Sequence, residues 1–168
     1  MELNDPVLVH WIDYDLLSRL GIAALIGLLL GLDRELRGLA AGMRTHGLIC
    51  VSAAATSVSM IALWTSLGPE RGDPLRMYEA AGSFIGIIGA GLIVFSKGKL
   101  HNLTTAAHLY LAAIIGIACG AGQWPLVAIA VIISVLMLTV LRVFERKDED
   151  KRPASDGEAG NAADPGAG

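Results

Sequence analysis

Charge is scarce in this sequence: 17% of its 168 residues are Asp, Glu, Lys or Arg, against about 25% in an average soluble chain. Aromatic residues are scarcer still at 5%, and there are two cysteines. So few cysteines exclude a disulfide-stapled secreted domain. A net charge of -3 excludes the broad basic surface that non-specific nucleic-acid binding requires. The sequence also lacks a GxxxxGK[ST] phosphate loop, a GxSxG elbow, an HExxH metal helix and a pair of intramembrane aspartates. No catalytic residue is therefore assigned.

What remains is apolar and small. Hydrophobic residues make up 54% of the chain, glycine accounts for 20 positions, and the mean hydropathy is +0.57. A disordered chain or an ordinary soluble enzyme is excluded on this ground. The simplest class is an all-α integral membrane protein.

Uncharged runs locate the crossings. Gly47 to Leu67 holds no charged side chain over about 21 residues, enough for a hydrocarbon core of roughly 30 Å. Ala80 to Ser96 is a second such run. Leu100 to Leu141 is too long for one crossing, and Gly120-Ala121-Gly122-Gln123-Trp124-Pro125 breaks it, with Gly and Pro as the turn and Trp124 suited to an interface. It divides into helices near Leu103–Cys119 and Leu126–Leu141. Leu16 to Leu32 supplies a fifth crossing if Arg19 snorkels to the interface. The expectation is a compact bundle of about five transmembrane helices over residues 16–146. An extracytoplasmic tail, 1–15, precedes it, and a disordered cytoplasmic tail, 147–168, follows.

Five crossings put Arg34, Arg37, Arg44, Lys97, Lys99 and the basic residues after Leu141 on one side. The positive-inside rule makes that side cytoplasmic, with the N-terminus outside and the C-terminus inside. The composition thus points to a multi-pass inner (plasma) membrane protein whose first partner is the lipid bilayer.

In lipid, close backbone approach and buried polar contacts hold helices together. Gly27 and Gly31, Gly82 and Gly86, and Gly116 and Gly120 form small-xxx-small pairs, and Gly89 and Gly91 extend the middle set. These eight glycines are the expected packing residues, within one chain or between protomers. Leucine at Gly86 or Gly89 is expected to abolish folding or assembly.

Polar residues near the spans are few. The loop holding Asp33, Arg34, Glu35, Arg37, Arg44, Thr45 and His46 reads first as a positive-inside anchor in which Asp33 and Arg37, one turn apart, pair. It reads second as a cation-attracting mouth or a partner-docking surface. Thr104 is the expected N-cap of the fourth helix and Thr105 is expected to bond backbone within it. His101 and His108 are seven residues apart and share a face if both are helical, but two imidazoles make an incomplete metal site. Cys50 and Cys119 are expected as small buried hydrophobes.

Three segments together carry a family resemblance. Gly31-Leu32-Asp33-Arg34-Glu35-Leu36-Arg37-Gly38-Leu39-Ala40-Ala41-Gly42-Met43-Arg44-Thr45-His46 resembles the MgtC/SapB signature loop, close to GLERExRGxxAGLRTH, with Asp33 for its Glu and one extra residue. Ile85-Gly86-Ile87-Ile88-Gly89-Ala90-Gly91 is similar to IGFLGAG, and Leu103-Thr104-Thr105-Ala106-Ala107 to GLTTAA. The resemblance covers about residues 16–146. It implies a bacterial inner-membrane protein of about five helices, linked to magnesium homeostasis, low-magnesium adaptation and intracellular survival. It further implies a regulator acting on other inner-membrane proteins or as a homo-oligomer, with a magnesium or other cation transporter as the alternative. No resident cofactor is implied, and magnesium is the one ion the resemblance suggests. Departures are His101-Asn102 for the usual Arg-Gly, and His108 and Tyr110 for Ser and Trp. Many members continue into a soluble ACT-like domain, where this sequence has a short polar tail.

Overall fold

Asp13 starts the first helix. Its extended backbone lets the carboxylate accept from the Asp15 amide at 2.9 Å, and the helix, α1, runs Tyr14–Leu36. Gly38 ends it: at φ +63 it occupies the left-handed region. There the amide of Leu39 donates to the Arg34 carbonyl and that of Gly38 to the Glu35 carbonyl, both at 3.1 Å, a glycine-closed helix end. The second helix, α2, is Met43–Leu67. Asp73 caps α3, Pro74–Leu92, by accepting from the Leu75 amide at 2.9 Å, with proline at the first helical position, where a missing N–H costs nothing. The helix α4 is Leu103–Gly120. Gly122, at φ +72, closes it with bonds from Gly122 to Cys119 and from Gln123 to Ala118. The last helix, α5, is Trp124–Glu149. This computed structural model describes residues 13–39, 41–67, 73–96 and 99–149. The expected tails at 1–15 and 147–168 lie largely outside them.

Five helices therefore stand where five were expected. Three of them, Tyr14–Leu36, Met43–Leu67 and Leu103–Gly120, are long and apolar enough to cross a membrane. The apolar stretches of the other two, Tyr78–Leu92 and Trp124–Met137, are shorter; 15 residues rise only about 22 Å.

The third helix also stops early. The sequence predicted helix to Ser96, but α3 ends at Leu92 and the chain turns into two short antiparallel strands, β1 (Val94–Ser96) and β2 (Lys99–His101). Val94 pairs with His101 and Ser96 with Lys99. The run Ile93-Val94-Phe95 is β-branched and aromatic, which suits a strand once a turn follows. Asn102, at φ +62, then sends its side-chain amide back to the Leu92 carbonyl at 3.3 Å. Thr104 consequently does not cap α4: Asn102 holds the cap position, with no side-chain bond to the first turn of the helix, and Thr104 is exposed.

The chain divides into two compact units, residues 1–132 and 133–168. The described part of the second is the remainder of α5. In the first, Ala23, Leu30, Cys50, Ala54, Ala112, Ile115, Ala118, Cys119 and Val127 form one core. It is built from α1, α2, α4 and the start of α5. Both cysteines are free and buried.

Glycine sets the spacing of three helices. A Cβ on Gly27 would lie 2.7 Å from the His46 carbonyl and 2.8 Å from the Gly47 Cα; on Gly31 it would lie 2.6 Å from the Met43 Cα. On Gly116 it would strike the Cys50 carbonyl, and on Gly120 the Ala54 carbonyl. These four glycines let α1 and α4 lie backbone to backbone on α2, the contact that compensates for lipid's inability to squeeze apolar helices together. The α3 glycines do not act this way. Nothing lies within 4 Å of a Cβ built on Gly82, Gly86 or Gly91, and Gly89 meets only Ala106 at an ordinary 3.7 Å. The expected close contact at Gly86 and Gly89 is not made among the described residues.

Candidate functional site

The face of α1 that packs inward is Ala23, Gly27, Leu30, Gly31 and Arg34, a spacing of three and four that keeps one side of a helix together. Arg34 falls on the same stripe as the close-packing glycines. Its guanidinium is consequently carried inward rather than toward the solvent that its neighbours meet. Arg34 is 4% exposed and its Nη2 donates to Thr105 Oγ1 at 2.5 Å. Thr105, in the first turn of α4, is itself buried. The bond ties chain segments 71 residues apart, joining the C-terminal end of α1 to the N-terminal end of α4.

The first turn of α2 supplies the third member. His46 is 0% exposed and its Nδ1 lies 3.0 Å from the Gly42 carbonyl. A carbonyl only accepts, so Nδ1 carries the proton and donates. That leaves Nε2 of the neutral ring as a lone-pair acceptor. The His46 and His108 rings meet edge to face, with centroids 6.4 Å apart and planes at 82°. Arg34 Nε and His46 Nε2 are buried without a hydrogen-bond partner among the described residues. Buried polar atoms are nearly always paired, and each exception asks for an explanation.

The rest of the motif loop supports this group. Arg37 Nε and Asp33 Oδ2 pair at 3.0 Å, as their spacing predicted. Glu35 Oε2 accepts from the Met43 amide at 2.9 Å, so a carboxylate from α1 caps the positive N-terminus of α2. Arg44 and Thr45 are exposed. Of the loop and helix-start residues singled out in the sequence, the structure thus joins Arg34, His46 and Thr105. It places Asp33, Glu35 and Arg37 around them, and leaves Arg44, Thr45 and Thr104 outside.

Two readings need correction. Thr105 bonds to Arg34 rather than to backbone within its own helix. His101 and His108 do not share a helical face: His101 is exposed on β2, ahead of α4, and His108 turns to His46 instead. The signal that could have found His108 is its position three residues after Thr105, on one face of α4.

The opposite end of the first unit holds the other charged contact. Arg19 is half-buried there. Its Nη1 donates to the Gly120 carbonyl at 2.8 Å while its Nε faces Asp15 at 2.7 Å, so it closes the C-terminal end of α4, where cations are favoured. A cavity of about 190 Å³ lies beside it, lined among others by Asp13, Asp15, Thr65 and Gly120.

Chemically, the Arg34 group offers a fixed cation, imidazole nitrogens and one hydroxyl. Among the described residues no three His, Cys, Asp or Glu side chains come together to hold a metal.

Glycine-fitted apolar helices of spanning length, with an arginine buried at their junction, define a membrane protein. The profile of the MgtC family matches residues 20–147, and the chain belongs to that family. It is 42% identical over 121 residues to the protein SapB of Bacillus subtilis (strain 168), covering 69% of this chain and 52% of SapB. It is 34% identical over 120 residues to the protein MgtC of Brucella abortus (strain 2308), covering 71% of this chain and 48% of that one. A third relative, YhiD of Escherichia coli (strain K12), provisionally named a magnesium transporter, is 34% identical over 135 residues, 79% of this chain and 61% of YhiD. The chain spans about half the length of the curated relatives it matches. No solved structure matches it.

Proposed function

We propose that the chain is a multi-pass protein of a bacterial inner membrane that serves magnesium homeostasis as a non-enzymatic regulator, working through helix contacts rather than by carrying ions. Family membership and the magnesium name attached to YhiD support the first part. One observation carries the second: among the described residues the deeply buried fixed charge is a guanidinium, Arg34, which bonds a hydroxyl and whose charge acts on two imidazoles. A magnesium path wants oxygen ligands, most often carboxylates with retained waters, and a fixed positive charge in such a path opposes entry. The carboxylates nearest Arg34 are otherwise engaged, Asp33 with Arg37 and Glu35 with the Met43 amide.

The helix contact through which such a regulator acts is assigned to α3. Gly27, Gly31, Gly116 and Gly120 are consumed by α2, whereas Gly82, Gly86 and Gly91 stay open beside the exposed Phe84 and Ile87. The contact is made to another inner-membrane protein or to a second copy of the chain.

The deciding experiment is magnesium flux into proteoliposomes holding the purified protein, with Asp33→Asn as the control. Folded protein is expected to give no more flux than empty vesicles. Saturable flux that Asp33→Asn removes would establish the transporter instead.

A further inference from the structure

Arg34 Nε, His46 Nε2 and the His46–His108 contact have no part in packing apolar helices, and the Arg34 charge acts on both imidazoles. From these we infer that the Arg34–His46–His108 cluster is a proton-operated lock on the junction of α1, α2 and α4: closed while His46 Nε2 is a bare lone pair, and released when that nitrogen takes a proton. This inference does not depend on what the protein regulates.

The geometry makes the two states unequal. In the closed state His46 Nδ1–H is satisfied by the Gly42 carbonyl, and the ring is fully buried. Imidazole is the side chain whose ordinary titration, near about 6.5, lies closest to physiological pH. A proton on Nε2 turns an acceptor into a donor at a place where no acceptor is in reach. It also puts a second positive charge beside Arg34, whose side-chain bond is to a neutral hydroxyl. A second uncompensated charge beside the one Arg34 already places there raises the cost of burial further, so protonation favours moving the ring, and the first turn of α2 with it, to water.

The neighbours offer no relief. The charged groups acting on His108 are Arg34, Arg37 and Asp33 of α1 and, from α2, His46. Of the two acids at this junction, Asp33 already pairs with Arg37 at 3.0 Å and Glu35 accepts from the Met43 amide at 2.9 Å. On α3, the helix that packs on the same part of α4, the approach is made by Gly89 to Ala106. Its titratable residues Arg76, Tyr78 and Glu79 lie at least ten residues earlier, roughly 15 Å along the helix. On α4 itself the neighbour is Thr105, which does not titrate.

The test uses the full chain in lipid nanodiscs between pH 7.5 and 5.5. Amide hydrogen exchange, corrected for its intrinsic pH dependence, is read at the starts of α2 and α4, and ring-nitrogen NMR shifts of labelled histidine are read in parallel. Exchange at His46–Cys50 and at Ala106–Leu109 is expected to rise about tenfold on acidification, as expected for a local opening, while the middle of α2 near Ala54 stays protected. The same step is expected in the His46 Nε2 signal, with Nδ1 protonated throughout. His46→Asn, which keeps an N–H for the Gly42 carbonyl but cannot titrate, is expected to remove the step. Exchange that is flat with pH, or that rises without titration of His46, would overturn the lock. If His46→Asn does not fold, Arg34→Gln decides: removing the neighbouring cation is expected to move the step to a different pH, and an unmoved step would refute the inference.

Discussion

Replacing glycine by alanine at Gly116 and, separately, at Gly86 gives opposite outcomes from one chemical change. At Gly116 the added methyl runs into the Cys50 carbonyl and lies 3.0 Å from the Ala53 Cβ. The obstacle is backbone, which no rotamer change can clear, so α2 and α4 must separate. Overpacking of this kind costs about 1–3 kcal/mol, offset by up to about 1 kcal/mol from alanine's better helix propensity. The net loss expected for Gly116→Ala is about 1–2 kcal/mol. At Gly86 there is open space, and only the propensity gain of roughly 0.5–1 kcal/mol remains. Gly120 lies one turn from Gly116 on the same seam, where a Cβ would stand 2.8 Å from the Ser57 Cβ. Once Gly116→Ala has wedged the helices apart, Gly120→Ala costs less than it does alone, because contacting sites are not additive. The assay is reversible unfolding by SDS in mixed micelles, followed by tryptophan fluorescence. A Gly116→Ala protein within about 0.5 kcal/mol of wild type, the usual range of neutral surface changes, would refute the backbone contact. Equal destabilisation by Gly86→Ala would refute the open face of α3.

Three further outcomes are expected in the same assay. Thr105→Val leaves a buried Arg34 N–H without its acceptor and is expected to cost about 2–3 kcal/mol, whereas Thr105→Ser, which keeps the hydroxyl, should cost far less; equal losses would mean the bond to Arg34 is not the cause. Arg19→Gln is expected to cost about 1 kcal/mol through the Gly120 carbonyl, and Asp15→Asn under about 0.5 kcal/mol, since the Asp15 side chain is 60% exposed; the reverse order would contradict the capping role. Ala41 sits at φ +60, so Ala41→Gly should stabilise by roughly 0.5–1 kcal/mol after the entropy cost of glycine, and a loss would contradict the left-handed turn.

Local chemistry made much of the fold legible. Gly120-Ala121-Gly122-Gln123-Trp124-Pro125 marks the break between α4 and α5 and Gly27-xxx-Gly31 the close-packing stripe of α1, whereas α3 begins at Pro74, before the uncharged run, and Arg34 lies in α1 and not in the loop. The limits are equally physical. Gly82-xxx-Gly86 and Gly116-xxx-Gly120 are the same pattern, but only the second meets another backbone, and a pattern within one helix does not say which helix lies opposite. The hairpin after Leu92 was hidden because an uncharged run serves helix and strand alike. For the site, the Asp33–Arg37 pair could be read from its spacing. The partners of Arg34 and His46 could not, because Thr105 and His108 come from a helix more than fifty residues later and only the packing of α1 and α4 on α2 brings them in.

In the proposed function Arg34 is a working residue rather than a topological anchor. Growth at limiting magnesium of a strain lacking the gene, complemented with wild type, Arg34→Gln or Arg44→Gln at equal membrane abundance, tests this most directly. Wild type and Arg44→Gln are expected to restore growth and Arg34→Gln to fail. Full rescue by Arg34→Gln would contradict the assignment of the buried cluster as the functional site.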